Sequence, residues 1–89
     1  MCSSDLECVT DQCRNALGTI AGALKEAGTS LDHVLRVRYI LPDKADWPAC
    51  WPITSEAFAA GRPAAMMIVA GLQESKMKVE IEVTARIPA

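Results

Sequence analysis

The chain has few aromatic residues, a single histidine and no long apolar run. Aromatic residues fill 4% of its 89 positions, and His33 alone supplies an imidazole, so paired-histidine chemistry is excluded. No apolar segment approaches the roughly 18 residues that cross a bilayer. The opening segment "MCSSDLECVT" also lacks the basic and apolar regions of a secretory signal. We therefore expect a cytoplasmic protein with no membrane partner.

An excess of positive charge is missing as well. The formal net charge is −2, and the sequence pI is about 5.2. Proteins that bind nucleic acid through the phosphate backbone need a basic stripe that releases counterions. We therefore expect no nucleic-acid partner.

The four cysteines do not form a recognisable metal or redox motif. Cys2, Cys8, Cys13 and Cys50 contain no C-x-x-C pair, and the spacing of the first three matches no usual zinc knuckle. Four free thiols, kept reduced in the cytosol, are the simpler interpretation. Cys13 is expected in the first turn of a helix, where the helix dipole would make it reactive at most.

Apolar residues are abundant for so short a chain. They make up 51% of the sequence. A domain of this size has a small core, because it buries only about 60% of the surface that its unfolded chain exposes. Part of this apolar content is therefore expected to face a partner. A homo-oligomer is the simplest source of one.

Periodicity predicts the order α-β-α-β-β in one domain over residues 1–89, with residues 1–9 as a poorly defined N-terminal segment. Thr10 is the predicted N-cap of the first helix and Gly28 its C-terminal stop, while Pro52 predicts a kink or a late start in the second helix. Gly18 and Gly22 are expected to let the first helix lie close to the sheet. The predicted helices are 11–27 and 46–60, and the predicted strands are 34–41, 64–72 and 77–86.

The strand–helix–strand connection predicts that the first two strands are parallel, and the short turn "QESK" predicts that the last strand returns as an antiparallel hairpin. In the first strand, alternation places Leu35, Val37, Tyr39 and Leu41 on the core face. The arginines between them, Arg36 and Arg38, lie on the other face. The middle strand is apolar on both faces, which again favours self-association.

The last strand presents Glu80 and Glu82 on its polar face. Cross-strand ion pairs with Arg36 and Arg38 would satisfy both carboxylates, each worth a few tenths of a kcal/mol, and would imply no chemistry. A carboxylate that positions water is the functional alternative for Glu80. The residues alone leave both readings open.

Three segments carry a family resemblance: "QCRNALGTIAGALKEAGTSLDHVLRVRYILPDKADW", "RPAA" and "KVEIEVTAR". Over about residues 12–86 the chain resembles the Rid family, the YjgF-like enamine/imine deaminases that are also labelled L-PSP endoribonucleases. The resemblance implies an α+β fold of the chorismate-mutase type, a mixed sheet with two helices on one face. It also implies a homotrimer with ligand clefts between subunits, a small imino- or oxo-acid ligand, and no metal or organic cofactor.

The resemblance also assigns site residues. It implies that Glu80 positions the attacking water, but the position of the family's carboxylate-binding arginine holds Ala65 in the segment Pro63-Ala64-Ala65. Arg38 and Arg62 are the candidates for a substitute anchor. Met67 completes the candidate substrate-binding set, although core packing is the more ordinary role of a methionine.

Family members also carry strands ahead of the first helix, where this chain has only "MCSSDLECV". The chain is therefore expected to be a fragment that lacks the N-terminal strands. It would leave the edge of the last strand bare and prone to aggregation. The homotrimer is expected of the longer form.

Three functions remain open from the sequence. The first is a trimeric metabolite-handling protein that is weak or inactive as a deaminase, and the second is an active imine deaminase anchored by Arg38 or Arg62. The third, a chorismate-mutase-type enzyme, needs several converging arginines, and the arginines here show no such arrangement. A ribonuclease would lack both a basic groove and a histidine pair.

Overall fold

The computed structural model describes residues 8–88, in which two helices pack on one face of a three-stranded sheet. The sheet order is β2-β1-β3. The predicted α+β fold, a mixed sheet with two helices, is confirmed. Expectations about residues 1–7, including Cys2, lie outside the described residues. The elements are α1 (Val9–Ala27), β1 (Val34–Leu41), α2 (Trp47–Ala57), β2 (Ala64–Val69) and β3 (Glu80–Ala85), with short 3-10 turns ahead of β1 and α2.

Helix α1 begins two residues before its predicted start and ends where predicted. Cys8, not Thr10, occupies the N-cap position, and it makes no side-chain capping bond. At the other end Gly28 adopts φ 89°, and its N–H donates to the Lys25 carbonyl at 3.1 Å. Glycine reaches this left-handed conformation without steric cost, so the C-terminal stop is confirmed.

The packed stripe of α1 consists of Val9, Cys13 and Leu17, spaced four residues apart. Gly18 lies about 100° further around the helix. A side chain built at Gly18 or Gly22 would meet nothing within 4 Å. The expectation that these glycines bring the helix close to the sheet is therefore wrong, because they lie on its exposed side.

Helix α2 is shorter than predicted and contains Pro52 without interruption. Pro48 lies in its first turn, where a missing N–H leaves no helical bond unmade. Pro52 has no N–H for the Pro48 carbonyl, but Pro48 is exposed, so water can take that place. The predicted cap position at Asp46 is confirmed, although its side chain makes no capping bond.

Strand β1 lies at the centre of the sheet and has its predicted bounds. It pairs in parallel with β2, as predicted, and antiparallel with β3. The predicted hairpin between β2 and β3 is wrong, because β3 crosses to the far side of β1. Residues 70–79 form the connection that crosses β1. A tight hairpin turn would be too short to do so.

The alternation along β1 holds from Val37 onward. Val37, Tyr39 and Leu41 are buried under the helices, whereas Leu35 is 55% exposed. A register irregularity lies between Val34 and Arg36 in the pairing with β3. Because a bulge adds one residue and shifts the alternation, Leu35 is turned out of the core, and its predicted place there is wrong.

Two fully buried thiols meet where α1 packs against α2. Hydrogen bonding to Cys50 lowers the pKa of Cys13, while the same contact and burial raise the pKa of Cys50. Cys13 and Cys50 are free, as predicted. Cys13 lies beyond the first turn of α1 and is fully buried, so the predicted reactive position is wrong. Cys8 is disulfide-bonded, so the prediction of four free thiols is wrong there.

A row of three aromatic rings joins the sheet to α2. The centroids of Tyr39 and Trp47 are 4.7 Å apart, and those of Trp47 and Trp51 are 5.9 Å apart in an edge-on arrangement. Tyr39 is buried, whereas Trp51 is 59% exposed. The row therefore runs from the core to the surface. Within the described residues, no helix is long and apolar enough to span a bilayer.

We predict that two leucines of β1 differ sharply in their contribution to stability. Leu41 is fully buried, so Leu41→Ala is expected to lower the free energy of unfolding by about 2–5 kcal/mol. Leu35 is more than half exposed, so Leu35→Ala is expected to change it by no more than about 0.5 kcal/mol. Urea denaturation at matched protein concentration measures both. Equal losses would contradict the observed bulge.

Tyr39 is the single tyrosine, so its ionisation can be followed without interference from another. Burial raises its pKa from 10.0 to about 12, while hydrogen bonding to Thr54 acts in the opposite direction. Above pH 10 the unfolded chain loses this proton while the folded chain keeps it. Stability is therefore expected to fall between pH 10 and 12. Tyrosinate absorbance should rise near pH 12; a midpoint near pH 10 in folded protein would contradict the burial of this phenol.

Candidate functional site

The face of the sheet away from the helices, called here the open face, combines charged and apolar side chains. In the strand register, Arg38 lies between Met66 of β2 and Glu82 of β3, and Ile40 lies between Ile68 and Glu80. Met66 is 57% exposed. The open face comprises Arg36, Arg38, Ile40, Ala64, Met66, Ile68, Glu80, Glu82 and Thr84.

The two acidic residues on the open face differ in their partners. Arg38 Nη2 lies 3.6 Å from Glu82 Oε1, and both side chains are substantially exposed. An exposed pair of this length contributes at most about 1 kcal/mol. Glu80 lies opposite Ile40, and residues 8–88 offer it no salt bridge. The ion-pair interpretation thus applies to Glu82, and the Glu80 carboxylate is available to a ligand.

Helix α1 fixes the chain just before Glu80. The side chain of Gln12 donates to the Lys76 carbonyl at 2.8 Å and accepts the Lys78 N–H at 2.8 Å. Val79 follows and is buried in the core. These contacts anchor the start of β3, and Glu80 is the first residue after them.

A second concave region lies on the other side of β2, between that strand and α2. This α2–β2 cleft has a volume of about 340 Å³. Aromatic rings, small side chains, hydroxyls and one cation form its walls. Its lining residues are Val37, Tyr39, Trp51, Thr54, Ser55, Phe58, Ala59, Arg62, Pro63 and Ala65.

The loop between α2 and β2 sets the rim of this cleft. A Cβ at Gly61 would lie 2.8 Å from the Asp32 carbonyl oxygen, so only glycine fits so close to the turn before β1. Arg62 follows with φ 46°, an uncommon conformation for a residue that is not glycine. Its N–H donates to the Phe58 carbonyl at 3.0 Å. The loop therefore folds back tightly and holds Arg62 at the rim.

Ala65 lies between two concavities. It lines the α2–β2 cleft, and it also borders a depression of about 300 Å³ beside Arg36, Arg38 and Met66, called here the β1–β2 depression. Its partner in β1 is Val37, which is buried under the helices. Ala65 therefore projects to the helix side of the edge strand.

Met67 has a packing position. It pairs with Tyr39 across the parallel strands and packs, half-buried, against the core. It borders neither concavity next to Ala65. Its predicted substrate-binding role therefore gains no support from the geometry of the protomer.

The predicted site residues fall into two groups within one protomer. Arg62 and Ala65 share the α2–β2 cleft, while Arg38 and Ala65 share the β1–β2 depression. Glu80 borders neither of them. Because β1 separates β3 from β2, the chain by itself does not bring Glu80 and Ala65 together.

Sequence reasoning missed the aromatic wall of the cleft. Trp47 and Trp51 are spaced four residues apart, which puts two indoles on one side of a helix. That spacing was the available signal for an exposed indole supported by a second one. Residues 8–88 contain no group of three or more metal-ligating side chains.

The chain matches the family described as Endoribonuclease L-PSP over residues 4–87. A solved YjgF/YER057c/UK114 family member from Mycobacterium tuberculosis is 32% identical, with a TM-score of 0.82. A YjgF family protein from Neisseria meningitidis is 31% identical, with a TM-score of 0.89. The alignments cover 94% and 93% of this chain, and 70% and 71% of those chains. A comparison with curated proteins found no match.

A protein from Pseudomonas aeruginosa is similar to the same degree, at 30% identity and a TM-score of 0.79, over 93% of this chain and 70% of its own. Family assignment by sequence and similarity of fold therefore agree over nearly the whole chain. The chain belongs to the endoribonuclease L-PSP family, the family of the YjgF-like proteins.

Proposed function

We propose that this protein is a Rid-like trimer that binds a small imino- or oxo-acid-like metabolite and is weak or inactive as an imine deaminase. The observation that supports the proposal is that a carboxylate is available while the cation expected to bind the substrate is absent. Glu80 is exposed without a salt bridge among the described residues, while Ala65 stands where a carboxylate-binding arginine is expected.

Imine hydrolysis needs water to attack the carbon of the C=N bond, followed by release of ammonia from the resulting carbinolamine. A carboxylate such as Glu80 can orient the water. An arginine that grips the substrate carboxylate through two hydrogen bonds fixes the carbon in line with that water. A methyl group at Ala65 provides neither the charge nor the alignment.

Assembly into a trimer would solve two problems of the isolated protomer. The open face exposes Met66 beside the half-buried Ile40 and Ile68, and contact with a second protomer would bury these side chains. A cleft between protomers could also bring Glu80 of one chain to the Ala65 edge of the next, which one chain cannot do. These two features of the sheet support the trimer.

An active deaminase with a substitute anchor is the second candidate. Arg62 favours it, because Arg62 and Ala65 line the same cleft. Arg38 is the weaker candidate, since Glu82 already lies 3.6 Å from its guanidinium. A ribonuclease still lacks support beyond the family description, because the net charge is negative and the chain has one histidine.

For a parent protein extended by the N-terminal strands that the family resemblance implies, we predict three chains per particle in sedimentation velocity at micromolar concentration. Met66→Glu is expected to shift the particle towards monomer, because it places a charge on a face that would be buried. Ser75→Glu, in the exposed connection before β3, is the control and should leave assembly unchanged. A monomeric parent protein would refute the trimer.

We also predict that Ala65→Arg gains deaminase activity. Charge-assisted hydrogen bonds contribute about 1.5–3 kcal/mol each, so restoring the anchor should raise ammonia release from freshly generated 2-aminoacrylate about tenfold or more. Ala64→Arg, one residue earlier and on the open face, is the matched control and should give no gain.

Parent turnover equal to that of Ala65→Arg would contradict the proposed loss of activity. It would point to Arg62 or Arg38 as the anchor, and Arg62→Gln and Arg38→Gln variants in the same assay would identify which of them serves.

A further inference from the structure

We infer that the α2–β2 cleft binds small aromatic carboxylates, with Arg62 holding the carboxylate and Trp51 holding the ring. This inference rests on the proposed function, because it names the ligand class of the proposed binder. It assigns the recognition of the ring to a residue that the family resemblance did not indicate.

The aromatic preference follows from the row of rings. Trp47 lies between Tyr39 and Trp51, and its ring meets Trp51 edge-on at 5.9 Å. This contact supports one side of the Trp51 indole, which nevertheless remains 59% exposed and lines the cleft. An aromatic ligand would extend the row by one ring, in the offset or edge-on geometry that aromatic pairs prefer.

The carboxylate preference follows from the charge of the cleft. Arg62 is its cationic lining residue, and residues 8–88 offer that guanidinium no ion pair, whereas Arg14 and Arg38 each have one. Its φ of 46° and the close approach of Gly61 to Asp32 hold the loop in place. A planar guanidinium suits a carboxylate, which it can bind through two parallel hydrogen bonds.

A singly charged ligand fits better than a phosphate ester. The last turn of α2 and the residues after it, including Phe58 and Ala59, line the cleft. The C-terminal end of a helix carries partial negative charge, which disfavours a dianion. Arg62 alone balances one negative charge, and the hydroxyl of Ser55 adds a neutral hydrogen-bonding group.

The size and lining agree with a small organic ligand. A volume of about 340 Å³ falls at the lower end of the range of roughly 300–1,000 Å³ seen for ligand pockets. Ala65 contributes to this space, because a larger side chain there would extend into it. Binding at Arg62 would hold the ligand carboxylate three residues along the chain from Ala65, where the anchoring arginine is expected. The protein could then bind such an acid without aligning it for hydrolysis.

Isothermal titration calorimetry with three unreactive probes tests the inference. The probes are 3-phenylpropanoate, the uncharged 3-phenylpropanamide, and butanoate, which lacks the ring. We expect 3-phenylpropanoate to bind at least about tenfold more tightly than either of the others. Absence of binding by 3-phenylpropanoate to folded parent protein would overturn the inference.

Two variants separate the two contacts. Arg62→Gln should weaken 3-phenylpropanoate at least about tenfold and remove its advantage over the amide. Trp51→Leu should remove its advantage over butanoate. Arg36→Gln, on the open face, is the matched control and should bind within about twofold of the parent. Circular dichroism confirms that each variant is folded.

A further variant, Arg38→Gln, tests whether the ligand occupies the other concavity. If Arg38→Gln loses binding while Arg62→Gln retains it, the ligand occupies the β1–β2 depression, and the inference is wrong. Equal affinity of Trp51→Leu and parent for 3-phenylpropanoate would eliminate the role of the indole. Tighter binding of phenyl phosphate than of 3-phenylpropanoate would refute the preference for a monoanion.

Failure of this inference is distinguishable from failure of the proposed function. A trimer in which Ala65→Arg gains turnover, but which does not bind 3-phenylpropanoate, would retain the proposed function and reject the aromatic ligand. A protein that binds 3-phenylpropanoate through Arg62 as a monomer, with no gain from Ala65→Arg, would retain the cleft assignment and reject the Rid-like trimer.

Discussion

The pairing of β1 on both of its edges is the constraint on which the rest of this structure depends. The strand bonds in parallel to β2 and antiparallel to β3, so its register fixes which residues of both neighbours share a face. Val37 therefore aligns Ala65 and Val83 on the helix side, and Arg38 aligns Met66 and Glu82 on the open side. The two helices, the aromatic row and the cleft are all positioned relative to this central strand.

This arrangement separates the two groups of candidate site residues. Arg62 and Ala65 lie at the edge strand β2, while Glu80 begins β3 on the far side of β1. A sheet of this order holds the two groups apart in one chain, and only a second copy of the chain, as proposed above, would bring them together. An interface that completes the site would make ligand binding and assembly interdependent, because each would stabilise the other.

Much of this fold follows from local pattern. The bounds of β1, the stop at Gly28 and the parallel pairing of β1 with β2 were predictable, since they depend on alternation, on a left-handed glycine and on the handedness of a crossover. Pairing choices that depend on distant parts of the chain were not. Neither the position of β3 beside β1 nor the bulge that exposes Leu35 has a local signal, because each depends on pairing between strands that are far apart in the sequence.

The candidate site likewise has parts that could be predicted from the sequence and parts that could not. The family resemblance identified Glu80 and Ala65 as candidate site positions, and the strand register gives the location of each in the sheet. Trp51 and the shape of the loop around Arg62 depend on how α2 lies against the sheet and on the close approach of Gly61 to Asp32, which single-sequence patterns do not encode. Met67 illustrates the reverse case, because this member of the candidate substrate-binding set packs, partly buried, against the core.

The Gln12 side chain holds the backbone of Lys76 and Lys78 through two hydrogen bonds, called here the clamp. These bonds affect where the chain can tolerate a change in length. Residues 70–75 come before the clamped segment, so residues gained or lost there would be absorbed by an exposed connection at a small loop-closure cost. One residue inserted just after Lys78 would instead shift the register of β3 by one position. Glu80 would then face the core, and its buried neighbour would face away from it. Within this family, we therefore expect length variation to concentrate before the clamp and to be absent between the clamp and the acidic strand.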